Sequence, residues 1–363
     1  MMKKAGRTKA MARFAALAVV SAAILALLRV LGILNLRLFG EAFARGNGAM
    51  GLVAAALLAM TAVALVRYWI ILRLVSFQAR APRVVAAGLI SQAVGQWAPG
   101  SMAVTELIRF GLMAGPGGSK GRLALSILID RLLGLGTMFL VGGCAAFFLH
   151  FRGGFLVKFP ALVFSLAVLS VAFGLALILA PFLTKTAPWR KLSRFLAVKA
   201  AVRPAVAADP VPKKSRSARL WGGLSGAVDL LNGAAARPRR LLIPIGLSLA
   251  IPFLNGATLF YAAQAIGHPL PLSVILVAVP FTILAVLLPL GLAGYGGPQL
   301  AAAGVFGLFN VSPETVVAAC LVQNTVVLAV TTVLGALSAG FVLDRLRAVL
   351  AARKNRLPDR RLP

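Results

Sequence analysis

Acid is what this chain most conspicuously lacks: eight Asp and Glu stand against 38 Lys and Arg in 363 residues, a formal net charge of +30. Histidine and cysteine are scarcer still, at two each. Cys144 and Cys320 both fall inside apolar runs, where a thiol packs as a small hydrophobe, and His150 and His268 are the remaining soft ligands. Neither a disulfide framework nor a metal site is expected. Paired carboxylates, a His cluster, a nucleophile–base set and a nucleotide-binding Gly-Lys-Ser/Thr motif are missing too, so the chain reads as a non-enzyme without a cofactor. Charged residues make up 13% of the whole, about half the usual soluble share of roughly 25%.

Apolar sequence fills the space instead. Hydrophobic residues are 60% of the chain, and their long runs predict an all-α, polytopic membrane bundle of about six spans: residues 14–34, 49–66, 123–149, 160–183, 241–261 and 315–342. The first follows a basic stretch, 1–13, and reads as an anchoring helix rather than a cleaved leader, because the Ala42-Phe43-Ala44 candidate lies too far downstream. Two further apolar stretches are broken in the middle. The arms 84–98 and 102–113 flank Pro99-Gly100-Ser101, and each is shorter than the roughly 20 residues a spanning helix needs. We read 84–113 as a re-entrant hairpin opening to the cytoplasm. The pattern recurs at 274–309, where arms flank a segment running from Pro289 to Pro298 through Gly294, Gly296 and Gly297; its place in the chain makes it enter from the opposite side. The glycines there let the chain reverse and let helices approach closely.

The basic residues sort by side. Segments expected inside (1–13, 67–83, 115–122, 184–240 and 343–363) hold 31 Lys and Arg, and the outside segments hold four. Such a positive-inside bias places both termini in the cytoplasm. It also absorbs nearly all of the net charge, which removes the case for nucleic acid. The chain thus divides into a first membrane half (14–183), a basic loop (184–240) with two amphipathic pieces and a Pro-rich middle without fixed structure, a second membrane half (241–342) and a basic tail (343–363). Loop and tail suit anionic lipid headgroups.

Charge at membrane depth is costly and marks function by default. Glu106 and Arg109 lie three apart on one helical arm and can pair on one face. Asp130 and Arg131 are adjacent, about 100° apart around a helix, so each must find its own partner; Asp130 with Arg109 and Glu106 with Arg131 are the natural combinations. The competing reading is that these charges merely neutralise one another and pin the hairpin. Gln96, one turn beyond Gln92, and Gln323 with Asn324 supply uncharged polarity suited to interhelical hydrogen bonds. Free amides near Gln299, at the start of a helical arm, would suit a phosphate.

In order and spacing these residues resemble a known family. The broken hairpin with Pro99 then Glu106-x-x-Arg109, the span opening Leu-Ala-Leu-Ser-Ile-Leu-Ile-Asp-Arg-Leu-Leu at residue 123, and the late Leu-Pro-x-Gly-x-x-Gly-x-Gly-Gly at residue 288 resemble the flippase-like family named for the lysylphosphatidylglycerol synthase transmembrane region. The likeness covers about 67–342 and includes Pro99, Glu106, Arg109, Asp130, Arg131, Pro289, Gly294 and Gly296. It implies an inner-membrane protein that moves a lipid between leaflets, beside an enzyme that makes or modifies that lipid. Arg109 and Arg131 would then meet an anionic headgroup, with Glu106, Asp130, Gln96 and Gln299 completing the site. The second half departs from the family pattern: Pro298-Gln299 stands in place of Arg-Glu, and uncharged residues around Gln323 and Asn324 stand in place of a later Arg. The soluble aminoacyl-transferase domain of the full synthase has no counterpart, since the 57-residue loop carries no His, no Cys and two acids, Asp209 and Asp229. The alternative is a non-transporting membrane partner that docks a lipid-modifying enzyme through that loop. Oligomeric state is not readable from the sequence.

Overall fold

The computed structural model describes residues 48–98, 101–114, 119–152, 159–183, 238–287, 291–292 and 295–355, with a few single residues between 26 and 44. Among these there are nine helices: α1 Gly48–Leu74, α2 Ala81–Gln96, α3 Ser101–Met113, α4 Lys120–Phe151, α5 Pro160–Leu183, α6 Pro238–Ala265, α7 Leu272–Leu287, α8 Gly297–Gly307 and α9 Pro313–Asn355. Five of them, α1, α4, α5, α6 and α9, are long and apolar enough to cross a membrane. The protein is therefore an all-α polytopic bundle. In hydrocarbon only a helix or a closed barrel satisfies every backbone polar group, which is why runs of this length fold as helices even through Pro244, Pro252 and Pro280. Most of the expected span at 14–34, the basic N-terminus and most of the 184–240 loop lie outside the described residues.

α2 packs on α3 and α7 packs on α8. With 16, 13, 16 and 11 residues, none of these four matches the length of a span. Arg83 ties the base of the first hairpin by donating to the Leu112 carbonyl (3.0 Å). The second tip contains a feature the sequence reading did not foresee, a two-residue antiparallel pair with Gly291 opposite Gly296 and Leu292 opposite Tyr295. Gly296 takes a φ of 111° there, a backbone conformation open to glycine and strained for other residues. Of the predicted breaks, Gly296 and Gly297 lead into α8, whereas Pro99, Gly100, Pro289 and Gly294 lie outside the described residues.

The order helix, short pair, helix occurs twice, as α1–α2–α3–α4 and as α6–α7–α8–α9, with α5 between. The units interlock: α1 packs on α6, α4 on α7, and α9 on α2. The last two contacts are made at matching places. Gly142, residue 23 of α4, lies so near α7 that a Cβ would meet Pro280 Cγ at 2.8 Å and the Leu276 carbonyl at 3.0 Å; Gly335, residue 23 of α9, lies as near α2, where a Cβ would meet Ala93 Cβ and the Leu89 carbonyl (3.2 Å).

Two apolar clusters hold the bundle. One joins Ala146, Val163, Ala262, Ile275, Phe306 and Val316 from α4 to α9. The other joins Tyr68, Ile71, Val84, Leu123, Ile129 and Leu133 from α1, α2 and α4. Cys320 packs inside the first, as expected, but Cys144 does not: it is exposed on α4, because its place on the helix turns it away from the core. α5 shows a wide apolar outer face, including Leu169 and Phe173, as a helix against lipid does. α9 continues as helix well past residue 342, to Asn355, into the stretch read as a tail.

Candidate functional site

α3 is too short to cross, so its middle comes to rest beside α4. Glu106 and Arg109, three residues apart, project from one face of α3 and pair (Arg109 Nη1 to Glu106 Oε2, 3.4 Å). Asp130 and Arg131, at residues 11 and 12 of α4, lie about 15 Å along that helix. Their side chains diverge, as neighbours on a helix must. Arg131 pairs with Glu106 Oε1, and Asp130 Oδ2 lies 3.7 Å from Arg109 Nη1. Both combinations expected from the sequence are present.

Asp130 has a second partner, which the sequence reading missed. Arg67, in the last third of α1, meets Asp130 Oδ1 through Nε (2.9 Å) and Nη2 (2.8 Å) and donates from Nη1 to Ser248 Oγ of α6 (3.1 Å). Ser248 in turn donates to the Pro244 carbonyl (2.7 Å). The sequence puts Arg67 at the start of the inside segment 67–83, among the cytoplasmic basics; it is instead 6% exposed and inside the bundle. The physical reason is that α1 does not end at residue 66 but runs to Leu74, burying Tyr68, Ile71 and Leu72 beyond the arginine. The apolar run resuming at Tyr68 was the available signal. Moving Arg67 inward lowers the inside count from 31 to 30, and the bias stands.

Five charged side chains from α1, α3 and α4 thus form one network. Arg67 and Asp130 are its most buried members, Glu106 and Arg109 are 14% and 13% exposed, and Arg131 is the most open at 30%. The Arg109 guanidinium lies 4.8 Å from the Tyr68 ring centroid, a cation–π contact. Among the described residues, Arg109 Nε and Arg131 Nε are buried without a hydrogen-bond partner.

Arg67, Arg109, Asp130 and Arg131 line a cavity of about 340 Å³ together with Gln92 and Gln96 from α2, Asn255 from α6 and Gln323 and Asn324 from α9. Glu106 is not among the lining residues and is partner to both Arg109 and Arg131. Gln323 donates to Thr258 of α6, the interhelical hydrogen bond expected of it. Gln299 is not brought to the charged residues. It is fully buried, and its side-chain oxygen accepts from the Gly296 amide (2.7 Å) at the start of α8. Both hairpin tips are fastened to the last helix: Trp97 Nε1 donates to Thr332 (3.0 Å), and the Tyr295 and Thr325 hydroxyls are 2.9 Å apart.

No curated protein and no solved structure matches the chain. The sequence model described as the lysylphosphatidylglycerol synthase TM region matches residues 13–335, reaching further toward the N-terminus than the motifs alone suggested. This polytopic chain, with paired charges at the depth of its bundle, belongs to the lysylphosphatidylglycerol synthase transmembrane-region family.

Proposed function

We propose that the protein moves an anionic phospholipid, or a lipid-linked phosphate headgroup, between leaflets, with the phosphate at Arg109 and Arg131 and the acyl chains left in the bilayer. The observation that carries this reading is the charge balance of the network. Three guanidiniums against two carboxylates leave one positive charge beside a cavity. An uncompensated cation at membrane depth costs about 2.5–3.5 kcal/mol on insertion scales, and a bound phosphate removes that cost. The planar guanidinium suits two-point contact with phosphate, and the unpartnered Nε atoms of Arg109 and Arg131 are donors such a ligand can use. Glu106 and Asp130 hold the guanidiniums in place between turnovers.

On this reading the chain is a transporter and not an enzyme, and it sits in a cell inner membrane. Exposed Arg73, Arg80, Arg83, Lys120 and Arg122 cluster where α1 ends, the first hairpin opens and α4 begins, which supports a cytoplasmic location for that face and, by the span count, for both termini. A lipid-modifying enzyme is the natural neighbour. The decisive experiment is leaflet exchange of a headgroup-labelled anionic lipid in proteoliposomes. Exchange is expected to fall at least tenfold in Arg109→Ala and Glu106→Gln, with folding retained, and to survive deletion of residues 199–219. Loss on that deletion with Arg109→Ala fully active would instead favour docking of a partner enzyme.

A further inference from the structure

The charged network sits off centre in the bundle. Arg67 lies seven residues before the end of α1, and Asp130 and Arg131 are residues 11 and 12 of α4. The network therefore stands about 10–17 Å from the end where Arg73, Arg80, Lys120 and Arg122 gather, and about 30 Å of helix from the other. α1 before Arg67, α4 after Arg131, α6 after Arg240 and all of α7 and α8 carry no Lys, Arg, Asp or Glu. The excess positive charge is thus one fixed charge inside the transmembrane field. Six titratable side chains meet there: Arg67 and Tyr68 from α1, Glu106 and Arg109 from α3, Asp130 and Arg131 from α4. To the charged cavity α2, α6, α7 and α9 bring amides, hydroxyls and apolar groups and no titratable one. Each carboxylate oxygen has a guanidinium beside it: Glu106 meets Arg109 and Arg131, and Asp130 meets Arg67 and Arg109. The Tyr68 hydroxyl lies 3.4 Å from Ser126 Oγ. A proton added to either acid would raise the uncompensated charge from one to two and double the penalty that membrane depth puts on it. A phosphodiester brings it to zero.

We infer that the protein is an electrogenic uniporter driven by the membrane potential, carrying one negative charge per lipid and no proton. The inference rests on the anionic-lipid reading above and adds its energy source. The loaded site is electrically neutral, so its change of access moves no charge through the field. The empty site takes one positive charge with it. An inside-negative potential draws that empty site back toward the basic, cytoplasmic face, and lipid accumulates in the opposite leaflet. The potential therefore acts on net movement, while exchange of one bound lipid for another is indifferent to it.

The test uses phosphatidylcholine proteoliposomes holding the full-length protein and a trace of phosphatidylglycerol labelled on one acyl chain. Valinomycin and a potassium gradient set the potential, and an impermeant quencher reads the label in each leaflet. At about 100 mV inside negative and equal pH, the outer leaflet is expected to hold roughly fiftyfold more label than the inner, the equilibrium ratio for one elementary charge. A pH gradient without a potential should leave the label even. With abundant phosphatidylglycerol in both leaflets, the rate of label exchange should stay within about twofold whatever the potential. Arg67→Met combined with Asp130→Leu keeps the charge balance and should keep both responses in whatever activity remains. Glu106→Gln leaves the loaded site with a positive charge and should make its residual exchange depend several-fold on potential. Label that stays even under the potential and follows the pH gradient overturns the inference and leaves the anionic-lipid reading standing. Exchange that follows the potential in the unaltered protein overturns the neutral loaded site. Label that moves under no condition overturns both readings.

Discussion

The two halves of the bundle make the same contact with different chemistry. In the first half, Arg67 of α1 grips Asp130, residue 11 of α4; in the second, Gln323, residue 11 of α9, donates to Thr258 of α6. Arg131 and Asn324 follow at residue 12 of their helices, and Gly142 and Gly335 both stand at residue 23. One half spends ions on the joint and the other spends amides. A neutral amide survives burial with a single hydrogen bond, whereas an ion pair needs a whole shell. That difference explains why the charged half recruits three helices around Asp130 and why the uncharged half leaves its amides facing a cavity.

Breaking the joint in each half should therefore give unequal losses. Asp130→Leu strands Arg67 and loosens Arg109, and is expected to lower stability by about 3–5 kcal/mol, the cost of unpairing a buried ion pair. Adding Arg67→Met should recover most of that, since the pair replaced as a unit is close to neutral. Chemical unfolding in detergent measures both. A small loss from Asp130→Leu alone would mean that water reaches the network and that the halves differ less than their side chains suggest.

The packing contacts should respond alike. Gly142→Ala and Gly335→Ala each force a methyl into an occupied space, with an expected cost of about 1–3 kcal/mol. A loss confined to one of them would break the equivalence of the two units. Gln323→Leu, the counterpart of Asp130→Leu, removes one interhelical hydrogen bond and should cost about 0.6 kcal/mol. Smallest of all are the tip fasteners: Trp97→Phe and Tyr295→Phe each delete one hydrogen bond to α9 and should shift stability by about 0.6 kcal/mol or less. Lipid exchange should speed up in either variant if release of a hairpin tip limits turnover.

Much of the charged half could be read in advance because helical geometry is local. Spacing of three put Glu106 and Arg109 on one face, and adjacency sent Asp130 and Arg131 to separate partners. Arg67 resisted that logic. A lone arginine among Tyr68, Trp69 and Arg73 has the composition of a membrane interface, and Arg73 does lie over the Trp69 ring, 3.9 Å from its centroid. Within α1 the apolar run resuming at Tyr68 is the one local sign that separates Arg67 from Arg73; the partners that hold it, Asp130 and Ser248, lie far along the chain. Gln299 was legible only in part: the glycines marked the reversal, but the hydrogen bond from the Gly296 amide to its side chain depends on the positive φ of Gly296, which helical spacing does not specify.

By itself the sequence determined the class of solvent, the helices and their interruptions, the positive-inside bias and the facing of residues three or one apart, since all of these follow from composition and from the pitch of a single helix. Tertiary structure alone decided which partners Arg67 takes, how three guanidiniums share two carboxylates, and that the amides of Asn255, Gln323 and Asn324 gather around one cavity. Those outcomes depend on helices distant in sequence meeting at one depth, and the free energy that selects them resides in contacts between helices, which no local pattern carries.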